Sequence, residues 1–491
     1  MSQIQLSDLT FSYEGSCHNV FEHLDLTLDT DWRCGLCGRN GRGKSTLLKL
    51  IAGELPSGAV TKSVPCRYFP GSPPGEWTAS MLAPPEDSWR LARELSLLGL
   101  SEEMLWRPLA TLSPGERTKV QLAALFLEED AFPLIDEPTN HLDGRGREQV
   151  AAYLRGKRGF LLVSHDRAFL DGCVDHIVSL GRSEIEVSKG TFSQWYERFE
   201  ARNEAELAQN RRLRGEIDRL SAAARRTSGW ADAVERSKKG TKIAGLRPDR
   251  GAIGHKAAKM MKRAKAVEAR RERAAEEKRS LLREIEQQDT LMLRPLPWRG
   301  ELLSAREFTL SYGERPLFAP LSFALHPGER VALAGGNGSG KSSLLRAVAA
   351  QRGLDTPPPG REGMLTLASG VVLSYLPQGT DKLRGTPADY AERCGLDRTD
   401  FFTLLRKLGL PREQFEKELS AFSDGQKKKV LLARSLTEAA HLYLWDEPLN
   451  FLDLFARMQL EEMLLSSGAT LLFVEHDAAF CKKIATGRIE L

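Results

Sequence analysis

Two short segments carry the residue types that phosphate chemistry requires. GRNGRGKS at 38–45 and GGNGSGKS at 335–342 both place a glycine, four residues, then Gly, Lys and Ser in succession. Gly38, Gly41 and Gly43, and likewise Gly335, Gly338 and Gly340, let backbone N–H groups curl around phosphate oxygens, with Asn40 and Asn337 inside the two loops. Lys44 and Lys341 can reach the β- and γ-oxygens, and the hydroxyls of Ser45 and Ser342 can hold Mg2+; Thr46 and Ser343 follow them. The expected ligand is ATP with Mg2+.

A second element supplies acids. FPLIDEP at 132–138 and LYLWDEP at 442–448 each run an apolar strand into an Asp-Glu pair. Asp136 and Asp446 are expected to ligate or orient Mg2+, and Glu137 and Glu447 to polarise a water attacking the γ-phosphate. His165 in LLVSHD and His476 in LLFVEHD end a further strand. There an imidazole can sense the γ-phosphate, although a lone histidine at a strand end is often simply a surface residue.

These landmarks recur in one order, and their offsets define the architecture. Tyr13 recurs as Tyr312 at an offset of 299 and Lys44 as Lys341 at 297, whereas Ser113/Ser423 and Asp136/Asp446 are 310 apart and His165/His476 are 311 apart. Two homologous halves, 1–194 and 296–491, therefore flank a different middle, 195–295. The increase in offset puts about a dozen extra residues in the second half, with PPPGREG at 357–363 as their expected place. Apolar strands alternating with helical stretches predict an α/β fold built on a largely parallel sheet.

The middle has another character. Residues 195–290 hold 25 Lys and Arg against 16 Asp and Glu, and within them 231–270 hold 12 against 4. Leu213, Ile217, Leu220 and Ala224, then Met260, Val267, Ala274 and Leu281, follow a rhythm of roughly seven residues. Four glycines and a proline in GTKIAGLRPDRGAIG, 240–254, break any helix between the two runs. The pattern predicts a helical hairpin with a basic tip, each arm of about 35 to 40 residues spanning ~55 Å. Such a charge density fits a polyanion, with Lys242, Arg247, Arg250, Lys256, Lys259, Lys262 and Arg263 as candidate RNA contacts. Trp230 can pack on the partner helix or stack on a base.

Composition narrows the class. A chain of 491 residues with 41% hydrophobic and 28% charged residues is an ordinary globular protein of several domains, not a disordered one. No apolar run is long enough for a membrane span, and the N-terminus lacks the pattern of a secretory signal, so a cytoplasmic protein is expected. Seven scattered cysteines do not form a disulfide framework, and the close pair Cys34 and Cys37 is expected in the core rather than on zinc.

LSPGE at 112–116 and FSDGQ at 422–426 stand roughly twenty residues before the Asp-Glu strands, and with them the chain resembles the ABC ATPases over 1–190 and 300–491. The resemblance implies a head-to-tail sandwich within one chain, and with it a monomer. Ser113 and Gly115 would face Lys341, Ser423 and Gly425 would face Lys44, and Tyr13 and Tyr312 would stack on adenine. Two ATPase halves joined by a basic helical linker are similar to the ABC-F translational ATPases, and GTFSQWYE at 190–197 is similar to the element that opens their linker. GHKAAKMMKRAK at 254–265 resembles the antibiotic-resistance branch, whose members protect bacterial ribosomes from lincosamides, pleuromutilins and streptogramin A. That family implies the ribosomal E site, large-subunit ribosomal RNA and P-site tRNA as partners.

Three departures bear on the transfer. The family's metal- and water-holding glutamine is present as Gln378 in SYLPQ but is Gly71 in RYFPG, which predicts slower hydrolysis at the first site. Pro114 and Asp424 replace a small glycine in the two LSxGQ-like elements. Only 69 residues separate Lys44 from Ser113, too few for the arm insertion of some relatives. Rival classes are the ATPase subunit of a membrane transporter, which needs no long basic linker, and a DNA-repair ATPase, for which paired CxxC zinc modules are expected. A housekeeping factor acting on stalled ribosomes is the alternative within the translational class.

Overall fold

The computed structural model describes residues 2–14, 19–71, 73–140, 142–181, 185–237, 262, 266, 269–270, 273, 291–313, 315–336, 338–356, 358 and 360–491. They fall into two compact units, Met1–Trp195 with Asp289–Leu491, and Tyr196–Gln288. Both halves of the sequence repeat thus share the first unit.

Each half is built on a parallel sheet. In the first the strand order is Cys66–Phe69, Phe132–Asp136, Phe160–Val163, Arg33–Cys37 and His176–Leu180, with Ile185–Lys189 added antiparallel at the edge. In the second it is Leu373–Leu376, Leu442–Asp446, Leu471–Val474, Arg330–Ala334 and Gly487–Glu490, parallel throughout. A sheet covered on both faces requires nearly continuous apolar runs, and Leu442–Asp446 is buried at every position. Cys34 and Cys37 lie in the central strand of the first sheet and are buried; burial pushes the Cys37 thiol up to about 12, which leaves both as core residues.

Each half also carries an antiparallel sheet that the sequence pattern does not announce. Gln3–Phe11 pairs with Phe21–Asp29 and Val60–Lys62, and Leu303–Tyr312 pairs with Leu321–Leu325 and Gly360–Leu367. The reason is local. Asp8 (φ 52°) and Glu307 (φ 45°) adopt left-handed backbone where the pairing register shifts, and these bulges interrupt the alternation that would reveal a half-buried strand. The extra residues of the second half also find their place here. Gly360–Gly363 open an eight-residue strand whose counterpart, Val60–Lys62, has three residues; residues 357 and 359 lie outside the described residues.

From Phe192 to Ser237 the chain is one helix of 46 residues, about 70 Å at ~1.5 Å per residue, longer than the expected arm. Ile217 of the predicted apolar rhythm is buried, and Lys262 is helical and exposed. The tip 240–254, Lys242, Arg247, Arg250, Lys256, Lys259 and Arg263 lie outside the described residues, as do Met260, Val267, Ala274 and Leu281 of the return arm and Asn337 of the second phosphate loop.

Candidate nucleotide sites

Both phosphate loops leave an interior strand of their sheet and run straight into a helix, Lys44–Ala52 or Lys341–Ala350. The turn depends on glycine for two reasons. Gly43 (φ +85°) and Gly340 (φ +95°) are left-handed, and a Cβ on Gly43 would sit 2.6 Å from Val20 Cγ1, one on Gly340 2.9 Å from Phe318 Cδ1. Gly41 and Gly338 face open space, as backbone that cradles a ligand must. Lys44 Nζ donates to Gly38 O at 2.8 Å and Lys341 Nζ to Gly335 O at 3.0 Å, so each ammonium lies over its own loop. Burial lowers the Lys44 pKa, opposed by the carboxylates of Asp453 and Glu137.

The strand ends deliver the acids as expected, with a backbone feature the sequence does not reveal. Glu137 (φ 49°) and Glu447 (φ 50°) are both left-handed, and their N–H groups donate to Val163 O and Val474 O at 2.9 and 3.0 Å. The same left-handed conformation recurs at the matching place in both halves. Glu137 Oε1 is 3.1 Å from His165 Nε2, and Glu447 Oε1 is 3.7 Å from His476 Nε2. Burial, then the neighbouring Asp136, pushes the Glu137 carboxyl up to about 8, and burial holds both imidazoles below their ordinary value.

Asp446 is buried and its carboxyl is pushed up to about 6, chiefly by that burial, despite a hydrogen bond with Ser342. Its Oδ1 has no hydrogen-bond partner among the described residues. A buried carboxylate oxygen of this kind is costly unless a cation meets it. Asp136 differs, because its Oδ2 accepts from Tyr68 Oη at 2.9 Å. Lys428, buried behind the second site, donates to Pro377 O and Asp446 O, each at 2.8 Å; Thr118 stands at the matching place in the first half.

The two halves meet around these groups. A cleft of about 1090 Å³ is lined by Lys341, Gln378 and Glu447 from the second half and by Ser113, Gly115 and Asp143 from the first. Tyr312, Gly338, Gly340, Ser342, Ser343 and His476 share its wall, so Ser113, Gly115 and Lys341 line one cleft. At the other junction Asn40 N donates to Asp453 Oδ2 at 2.9 Å and Asn40 Nδ2 to Phe451 O at 3.0 Å, which fastens the second half onto the first phosphate loop. Gly425 lies beneath Phe451, whose Cβ is 3.1 Å from where a Gly425 Cβ would stand. Ser45, Asp136 and Glu137 line a separate cavity of about 540 Å³ that also reaches Gly71. Tyr13 is exposed and its Oη lies 2.8 Å from Thr46 Oγ1.

Ser113 and Ser423 begin helices through reciprocal capping, with Glu116 and Gln426 as third residues. Pro114 then occupies the first helical position, where no N–H is needed, so this departure costs the helix nothing. Asp143 and Asp453, missed in the motif reading, cap Gly144–Arg155 and Leu454–Ser467 while facing the junctions. Their signal was present, since NHLD and NFLD repeat at the same offset of 310 as the signature serines.

A family model described as ABC transporter matches residues 21–140 and 318–450. The chain belongs to this family, as an ABC-F type ATP-binding protein with two ABC domains, and it is an ATPase. It is 28% identical over 485 residues to the ribosome protection protein VmlR of Bacillus subtilis, covering 97% of this chain and 85% of that one. It is 26% identical over 531 residues to the energy-dependent translational throttle protein EttA of Escherichia coli, covering 95% and 88%. Among solved structures, the archaeal ribosome recycling factor aABCE1 in complex with the stalk protein aP1 superposes with a TM-score of 0.61 at 20% identity, over 98% of this chain and 87% of that one. No helix among the described residues is long and apolar enough to cross a membrane.

Proposed function

We propose that this ATPase binds the bacterial ribosome at the E site and protects it from antibiotics of the peptidyl-transferase centre, with ATP binding favouring attachment and hydrolysis favouring release. The observation that carries the reading is the cleft between Lys341 and Ser113, because a ligand touching both halves can couple its own chemistry to their closure. The likeness to a ribosome protection protein along nearly the whole chain supports the direction of that coupling.

In each site the backbone loop and Lys44 or Lys341 hold the phosphates. Mg2+ fits beside Ser342, Gln378 and the unpartnered oxygen of Asp446, and beside Ser45 and Asp136 in the first site; it would neutralise charge on the β- and γ-phosphates. Glu447, and Glu137 once it has released its own proton, accept the proton of the attacking water as its oxygen bonds to the γ-phosphorus and the bond to the ADP oxygen breaks. His165 and His476, neutral, stand beside those carboxyl groups. Ser113, Gly115, Ser423 and Gly425 close on the γ-phosphate from the opposite half, and Tyr13 and Tyr312 face adenine. The basic hairpin meets large-subunit ribosomal RNA and P-site tRNA through Lys242, Arg247, Arg250, Lys256, Lys259, Lys262 and Arg263, in the cytoplasm.

A housekeeping role on stalled ribosomes is the second reading, favoured by the nearly equal identity to a translational throttle protein. Expression in a susceptible bacterium separates the two. Growth in lincosamide, pleuromutilin or streptogramin A at concentrations that stop the parent strain supports protection, and unchanged susceptibility to all three leaves the housekeeping role.

A further inference from the structure

The first nucleotide site lacks a side-chain amide where the second has one, and the structure holds another amide close to that place. Gln378 follows the strand Leu373–Leu376 and lines the second cleft; the matching residue after Cys66–Phe69 is Gly71. On the helix Pro114–Leu125, Gln121 points its Nε2 at Gly71 O, 3.3 Å away, and lines the same cavity as Ser45, Asp136 and Glu137. The residue matching Gln121 on the helix Asp424–Thr437 is Leu431, which is buried in the apolar core. The two halves therefore differ at both matched positions, Gly71 and Gln121 in one against Gln378 and Leu431 in the other.

Space permits this arrangement. A Cβ on Gly71 would meet nothing nearer than Pro73 Cδ at 3.9 Å, so the absent side chain leaves room for one arriving from the helix. Gln121 is half-buried where its counterpart is apolar, and a polar group in such a place requires a partner. Its N–H is used on Gly71 O, which leaves the acceptor end of the amide as the group available to a cation or a water.

We propose that Gln121 is the cation- and water-directed amide of the first nucleotide site, standing in for the glutamine absent at Gly71. The inference rests on the reading that this site binds a divalent cation with ATP. Because the amide comes from the helix headed by Ser113 and Gly115, which line the second cleft, one short helix then serves both sites.

The test uses the full chain carrying Glu137→Gln and Glu447→Gln, so that nucleotide persists, with Mn2+ as the probe and electron paramagnetic resonance to separate bound from free ion in the presence of ATP. The parent should bind two Mn2+ per chain. Gln121→Leu should weaken one of them by tenfold or more and leave the other, and Gln378→Gly should weaken the other. Gly71→Gln with Gln121→Leu, which copies the arrangement of the second half, should restore the first. Gln121→Met offers the same comparison if Gln121→Leu does not fold. Two unchanged Mn2+ sites in the Gln121 variants, or no recovery in the double variant, overturn the assignment. Fewer than two Mn2+ on the parent would instead overturn the reading of the first site, and the assignment with it.

Discussion

Glu137 Oε1 lies 3.1 Å from His165 Nε2, with 19% and 13% of the two side chains exposed. With its pKa raised to about 8, the folded protein holds the Glu137 proton up to that pH, whereas an unfolded chain releases it near 4.5. Stability from this group is full below about 4.5 and is lost as pH rises through 8. Glu137→Gln, which cannot ionise, should therefore gain on the parent by roughly 1–3 kcal/mol between pH 5 and pH 8.5 without nucleotide. Thermal unfolding of both proteins at the two pH values checks it, and a difference that does not change with pH would contradict the account.

The two sites should contribute unequally. Asp136 shares an oxygen with Tyr68 and no glutamine stands at Gly71, whereas Asp446 has an unpartnered oxygen and Gln378 lines its cleft. Glu447→Gln should lower steady-state ATP turnover more than Glu137→Gln, by about tenfold or more if the second site dominates. Equal losses, or the opposite order, would remove the proposed difference.

Asp453 has two tasks, capping Leu454–Ser467 through Ala456 N at 2.9 Å and accepting from Asn40 N. Asp453→Ala should lose both and cost about 1–2 kcal/mol. Asn40→Ala should lose the bond to Phe451 O and the long one its Oδ1 accepts from Lys44 Nζ at 3.4 Å, about 0.5–1.5 kcal/mol, while its backbone N–H keeps the bond to Asp453. Denaturant unfolding of the two variants gives the comparison, and an equal or smaller cost for Asp453→Ala would argue against the link between halves.

What the sequence reveals follows from where the physics is local. A phosphate loop or an Asp-Glu strand end is written within eight residues, so Lys44, Asp136, Glu137 and their repeats were legible, and the constant offsets displayed the second half at once. The antiparallel sheets were hidden because bulges at Asp8 and Glu307 break the alternation. Neither the contact of Tyr68 with Asp136 nor that of Gln121 with Gly71 follows from spacing, since each joins elements that only the folded sheet brings together. The facing of Ser113 with Lys341 came from family resemblance alone.

The hairpin should separate from the chemistry. Deleting a few residues around Ile243 to Arg250 should leave ATP turnover and ribosome binding intact while abolishing protection from peptidyl-transferase drugs. Charge reversal at Lys256, Lys259, Lys262 and Arg263 should weaken ribosome binding at low salt and flatten its dependence on salt, because fewer counterions are released. Full protection by the tip-deleted protein would show that the tip is not the effector.

The central claim is that ATP held between the two halves keeps the protein on the ribosome until it is hydrolysed. The direct measurement is sucrose-gradient sedimentation of the Glu137→Gln, Glu447→Gln variant with bacterial ribosomes, with and without ATP, beside its rate of phosphate release. The account predicts hydrolysis reduced by about 100-fold or more and co-sedimentation with ribosomes that requires ATP and outlasts that of the parent. A variant that turns over ATP normally, or that stays at the top of the gradient with ATP present, would contradict it.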